Sequence, residues 1–130
     1  MTFVQNTKIV RDVVFDTEWR VGEYNRLSKE DGDKPESDSI QNQHNINQAH
    51  IEYLRRQGEN IVSVKVYSDD GFAGGTFDRP QYKAMIRDIE AGKINCIIFK
   101  DNSRLGRNYP ELGKLMEEYF PQMGVRVISV

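Results

Sequence analysis

The chain has 130 residues, of which 38% are hydrophobic and 29% charged, enough for one domain with a modest core. Its net charge of -2 argues against strong non-specific binding to nucleic acid, although a local basic cleft remains open to it. One cysteine and two histidines argue against a structural zinc site, and no apolar run reaches membrane-spanning length.

No signal peptide opens the sequence, and Cys96 stands inside Asn-Cys-Ile-Ile-Phe. A buried, reduced thiol in a cytoplasmic protein is the expectation. Residues 1–18 have no clean period and are expected to form an N-terminal extension, with Val10, Val13, Val14 and Phe15 in a short strand or docking segment. Trp19 to Leu27 reads as the first strand. A polar loop follows from Ser28 to Glu36, and Ser37-Asp38-Ser39 offers a helix cap. That helix is expected to reach about Arg56, to bury Ile40, Ile46, Ala49, Tyr53 and Leu54, and to end at Gly58.

Ile61 to Tyr67 alternates as a strand does. Ser68 to Asp78 is rich in Gly and Asp and reads as a loop. Pro80 suits the first turn of a helix, with Tyr82, Met85, Ile86 and Ile89 on one face and Ala91-Gly92 at its close. The unbroken apolar run Ile94 to Phe99 predicts a strand buried on both faces. Pro110 opens a helix with Leu112, Leu115, Met116, Tyr119 and Phe120 on one side, and Gly124 precedes a last strand, Val125 to Val130.

Strands and helices therefore alternate, which predicts an α/β domain with a mostly parallel central sheet of about four strands flanked by helices. Such sheets bind ligands at the carboxyl ends of their strands. Three segments fall there: Tyr24-x-Arg26-x-Ser28, the loop from Asp69 to Gly74, and Lys100 to Arg107. A serine among fixed guanidinium groups suits attack on a phosphodiester. Singly, each segment has a plainer reading. Arg26 and Ser28 suit a surface strand end, Arg104 and Arg107 a solvated turn paired with Asp101, Asp69-Asp70-Gly71 a tight turn, and Asp78-Arg79-Pro80 a helix cap.

The order of the segments is more specific. Tyr-x-Arg-x-Ser (Tyr24, Arg26, Ser28) is followed by Ser-Ile-x-x-Gln (Ser39, Ile40, Gln43) and Asp-Asp-Gly-Phe-x-Gly. Phe-Asp-Arg-Pro (Phe77 to Pro80) and Ser-Arg-Leu-Gly-Arg-Asn-Tyr (Ser103 to Tyr109) complete the series. From Tyr24 to Val130 the chain resembles the catalytic domain of serine site-specific recombinases, the resolvase/invertase superfamily. Arg-Leu-Ser-Lys-Glu-Asp-Gly-Asp and Tyr-Phe-Pro-x-x-Gly-Val-Arg look most like the large serine recombinases of clostridial-type mobile elements.

The resemblance implies a resolvase-like three-layer fold over residues 19–130. It implies that Ser28 is the nucleophile forming a 5′-phosphoserine link, and that Arg26, Arg104 and Arg107 bind phosphate and stabilise the transition state. Gln43, Arg79, Asp70, Tyr24 and Lys100 match further positions expected to bind substrate. Ser39 is a competing serine without an Arg two residues before it. Ser103 replaces the Asp of smaller resolvases, so no acid-base role carries over to that position. No metal and no cofactor is expected.

The implied partner is double-stranded DNA, with a homodimer on each site and a homotetramer at synapsis. The implied setting is a bacterial cytoplasm, near the nucleoid and without a membrane, and the implied work is excision or integration of a mobile element. The chain stops at an apolar strand residue, so it is expected to be the front of a longer protein whose dimer helix and DNA-binding region lie beyond Val130. By itself it is expected to be mostly monomeric and to bind its site weakly. The competing reading is a non-catalytic regulatory or interaction domain on the same fold. Retention of Ser28 with three arginines argues against it.

Overall fold

The computed structural model describes residues 13–27, 39–71, 79–106 and 109–130. Four strands form its sheet: β1 (Trp19–Leu27), β2 (Ile61–Asp70), β3 (Cys96–Phe99) and β4 (Arg126–Ser129). Their order is β2-β1-β3-β4 and every pairing is parallel. Parallel neighbours require crossovers, and helices supply them. Helix α1 (Ile40–Arg56) joins β1 to β2, and α2 (Pro80–Glu90) joins β2 to β3. Helix α3 begins at Tyr109–Lys114, widens into a π-helical turn over Leu115–Tyr119 and closes over Phe120–Gln122. Among the described residues, no helix is long and apolar enough to cross a membrane.

The sheet divides the core into two layers because alternate strand residues point to opposite faces. On one face Trp19, Val21, Cys96 and Ile98 pack with Ile51 and Leu54 of α1. On the other, Tyr24, Tyr67, Ile97 and Phe99 pack with Met85 and Ile89 of α2 and with Leu112 and Phe120 of α3. All four residues of β3 are buried, as the unbroken apolar run predicts. Gly22 on β1 leaves room for Ile94, Tyr67 and Met85 of α2 to pack over the strand. A Cβ there would stand 2.8 Å from Ile94 Cδ1 and 3.2 Å from Tyr67 Cε1.

Several local expectations need correction. Residues 13–16 form a helical turn rather than a strand, and the Trp19 indole donates to Val14 O at 2.9 Å. Val10 lies outside the described residues. Strand β2 continues to Asp70, three residues beyond the expected end, because β1 pairs with it as far as Leu27. The buried face of α1 is Gln43, Asn47, Ile51 and Leu54, whereas Tyr53 is 49% exposed and Ala49 lies on the solvent side. Apolarity misjudged this helix because half the surface beneath it is polar.

Candidate active site at the carboxyl ends of β1 and β3

The chain leaves β1 for β2 on one side and reaches β3 on the other. The ends of β1 and β3 therefore flank the point where the strand order reverses, the usual place for a ligand crevice. Arg26 stands at the end of β1, and Arg104 closes a 3-10 turn, Asn102–Arg104, just beyond β3. Both side chains are buried.

The two arginines brace each other through the main chain. Arg26 Nε donates to Arg104 O at 3.0 Å, and its Nη2 donates to Ser103 O at 2.6 Å. Arg104 Nη1 returns a bond to Arg26 O at 2.7 Å. Gln43 of α1 closes the arrangement from the other side of the sheet. Its Oε1 accepts from Arg26 N at 3.0 Å and its Nε2 donates to Arg26 O at 2.9 Å. Ser39 starts α1, and its hydroxyl accepts from Asn42 N at 3.0 Å.

Arg79 brings a third guanidinium. Its Nη2 donates to Arg104 O at 3.2 Å and its Nε to the Tyr24 hydroxyl at 3.3 Å. The guanidinium carbon lies 4.1 Å from the Tyr82 ring centre, a stacking contact. Arg79 has φ 56°, the one positive φ at a non-glycine among the described residues. That backbone, directly before Pro80, costs on the order of 1–3 kcal/mol. Asp69 helps to hold it. The Asp69 carboxylate accepts from Gln81 N and Tyr82 N, each at 2.9 Å, and from the Tyr24 hydroxyl at 2.7 Å. Asp69 thus caps α2 from a neighbouring strand, while the Arg79 side chain at the cap position makes no bond to the helix's own first turn. Burial pushes the Tyr24 hydroxyl well above its ordinary range, and Arg79 opposes this in part.

Asp101 supports the 3-10 turn. Its carboxylate accepts from Ser103 N at 3.0 Å and from the Ser103 hydroxyl, and lies 3.4 Å from Arg104 Nε. Burial raises the Asp101 carboxyl, but the Ser103 bonds and the Arg104 charge outweigh it and leave it below the usual range. The pairing of Arg104 with Asp101 is therefore real, yet Arg104 is 3% exposed and not a solvated turn residue.

Tyr24, Arg26, Gln43, Arg79 and Arg104 thus share one bonded cluster. Asp70 sits exposed at the end of β2, and its neighbour Asp69 takes the place beside Tyr24. Lys100 is half-buried directly after β3. Ser28 and Arg107 lie outside the described residues, as do Asp78 and the segment 72–78. The Arg26 and Arg79 guanidinium groups share the Arg104 carbonyl, and that of Arg104 bonds the Arg26 carbonyl with Asp101 at 3.4 Å, so among the described residues three cations face one carboxylate and the cluster favours a further anion.

The sequence reading names Asp69 and Asp101 only as turn residues, and a second polar group beneath α1 is not expected from it. Glu23 and Asn25 are fully buried, and Asn25 Nδ2 donates to Glu23 Oε2 at 2.7 Å. Asn47 Nδ2 donates to Asn25 Oδ1 at 3.0 Å, leaving Asn47 Oδ1 buried without a partner. A signal was present: Glu23 and Asn25 alternate within a buried strand, and Gln43 and Asn47 are spaced four apart in line with Ile51.

Residues 21–130 match the family described as "Resolvase, N terminal domain". Among solved structures, the chain is similar to the N-terminal catalytic domain of TP901-1 integrase. Identity there is 25% and the TM-score 0.60, over 85% of this chain and 75% of the other. It has the fold of the C-terminal catalytic domain of ISC1926 TnpA, an IS607-like serine recombinase, at 23% identity and TM-score 0.58, over 85% and 67% of the two chains. A serine recombinase from Sulfolobus solfataricus shares that fold at 22% identity and TM-score 0.52, over 86% and 68%. No curated protein sequence matches.

Proposed function

Because the chain belongs to the resolvase N-terminal domain family of serine recombinases, we propose that it cuts and rejoins DNA through a phosphoserine. Ser28, two residues beyond Arg26, is the nucleophile of this reading. Its Oγ attacks a backbone phosphorus, the bond from phosphorus to O3′ breaks, and the Ser28 proton ends on the departing 3′ oxygen. The products are a 5′-phosphoserine and a 3′-hydroxyl. Rejoining is the reverse reaction with a hydroxyl from another strand. The ester keeps the bond energy, so the chemistry requires no nucleotide cofactor.

One observation carries the reading. The Arg26 and Arg79 guanidinium groups donate to the Arg104 carbonyl and that of Arg104 donates to the Arg26 carbonyl, beside the end of the strand that leads to Ser28. Such donors hold a phosphate and stabilise the charge that develops on its oxygens. Arg26, Arg104 and Arg107 bind the phosphate, and Gln43, Arg79, Tyr24 and Lys100 shape the site. The acidic position beside it is better filled by Asp69 than by Asp70, since Asp69 contacts Tyr24.

In this reading residues 19–130 are the catalytic unit and 1–18 an extension. The substrate is double-stranded DNA at a mobile-element boundary in a bacterial cytoplasm. A dimer binds each site, and two dimers pair for strand exchange.

Covalent trapping tests the proposal. Ser28→Ala should abolish the protein–DNA adduct and leave DNA affinity nearly unchanged. Ser39→Ala should keep the adduct and lose about 1 kcal/mol of stability, the usual worth of a serine cap. An adduct that survives Ser28→Ala and disappears in Ser39→Ala would mean the nucleophile is misassigned.

A further inference from the structure

We propose that Glu23 is a positioning residue, whose buried carboxylate clamps the first half of α1 onto β1 and so holds Gln43 against the main chain of Arg26. The proposal rests on the recombinase reading for its effect on catalysis, but its structural half stands separately.

Glu23 is fully buried and its two oxygens gather three groups. Gln48 Nε2 donates to Oε1 at 2.8 Å. Asn25 Nδ2 donates to Oε2 at 2.7 Å, and His44 Nδ1 stands 2.7 Å from the same oxygen. Two of the three come from α1, one turn apart, so the carboxylate grips the helix at two points. Gln43, next to His44, makes both bonds to the Arg26 main chain. Asn47 adds a bond to Asn25.

The apolar contacts of α1 lie elsewhere. Ile51 and Leu54 anchor its second half on Trp19, Val21 and Ile98. The half nearest the arginines is docked through Gln43, Asn47 and the Glu23 contacts. Apolar packing tolerates small slides, whereas hydrogen bonds weaken steeply when bent or stretched. A buried carboxylate bonded at both oxygens therefore sets both the rotation and the height of α1. Gln43 relays that setting to the Arg26 carbonyl, which also accepts from Arg104. An error at Glu23 would reach both arginines, and reactive geometry tolerates only a fraction of an ångström.

Two measurements on Glu23→Gln test this. Gln replaces one of the two acceptor oxygens with an NH2 donor, which cannot accept from Gln48 Nε2 or Asn25 Nδ2 as they stand, so the set of contacts is broken. Residue-level amide exchange should speed up at Arg26 by roughly tenfold while Ile97 and Ile98 stay protected. Single-turnover adduct formation on bound DNA should fall by about tenfold with DNA affinity unchanged, and in a Gln43→Leu background Glu23→Gln should add nothing further. His44→Asn, at a half-exposed position, should show the same pattern more weakly and serves if Glu23→Gln does not fold. Unchanged Arg26 protection, or faster exchange across the whole sheet, would overturn the proposal. Absence of any adduct from the unsubstituted protein would overturn the recombinase reading, and the exchange result would still decide the role of Glu23.

Discussion

The two ends of the sheet use arginine differently. At the amino end, Arg126 meets the Glu59 carboxylate through both Nη atoms, at 2.5 and 3.4 Å, and lies 5.0 Å from the Trp19 ring centre. At the carboxyl end, Arg26 and Arg79 donate to main-chain carbonyls of the 3-10 turn, Arg79 leans on Tyr82, and Arg104 donates to the Arg26 carbonyl while Asp101 stands at the longer distance of 3.4 Å. A carboxylate partner fixes a guanidinium and cancels its charge. A carbonyl or a ring fixes it and leaves the charge in place. The first arrangement ties elements together, and the second is the one the proposed reaction would use to hold a phosphate.

The sharpest break in this contrast should come from Lys in place of Arg. Arg104→Lys and Arg26→Lys should each slow adduct formation by roughly a hundredfold, about 3 kcal/mol of barrier, because a point charge cannot replace the planar fork. Arg126→Lys should leave that rate within about twofold. Single-turnover trapping of all three compares the ends directly. Near-normal rates for Arg104→Lys would erase the distinction.

Gly22→Val examines the amino-end half of the core. The added carbons meet Ile94 and Tyr67, so stability should fall by about 1–3 kcal/mol. Denaturant unfolding reads the loss, and the adduct rate of the remaining folded protein should be unchanged. Asp69→Ala should behave otherwise. It removes the cap of α2 and the acceptor of Tyr24, costs about 1–2 kcal/mol of stability, and also slows the adduct because Arg79 loses its frame.

The smallest effect is expected from Asp101. Its carboxyl titrates below the usual range in the folded protein, so the unfolded chain takes up the proton first as pH falls. The stability it contributes is present above about pH 4 and disappears as pH drops through the folded value. Because the side chain is 44% exposed, the contribution should be under about 1 kcal/mol. Asp101→Asn should flatten the acid limb of the stability curve by that amount. A steeper limb would place the acid sensitivity elsewhere.

Much of this was legible in the sequence. Alternation, apolar runs and Pro or Gly at helix ends gave the order of elements, because those signals are local and follow the periods of strand and helix. Tyr24, Arg26, Gln43, Arg79 and Arg104 stood out through the family resemblance that the order of their segments carries. The tertiary structure alone decided that Arg26 and Arg104, far apart in sequence, brace each other through reciprocal bonds to main-chain oxygens. It alone chose Asp69 over Asp70 beside Tyr24, since one strand residue points into the layer and the next points away. The buried face of α1 was likewise beyond an apolar count. Gln43 and Asn47 are inside because β1 offers them Arg26 and Asn25 as partners, and only the packed sheet shows which polar groups find one another.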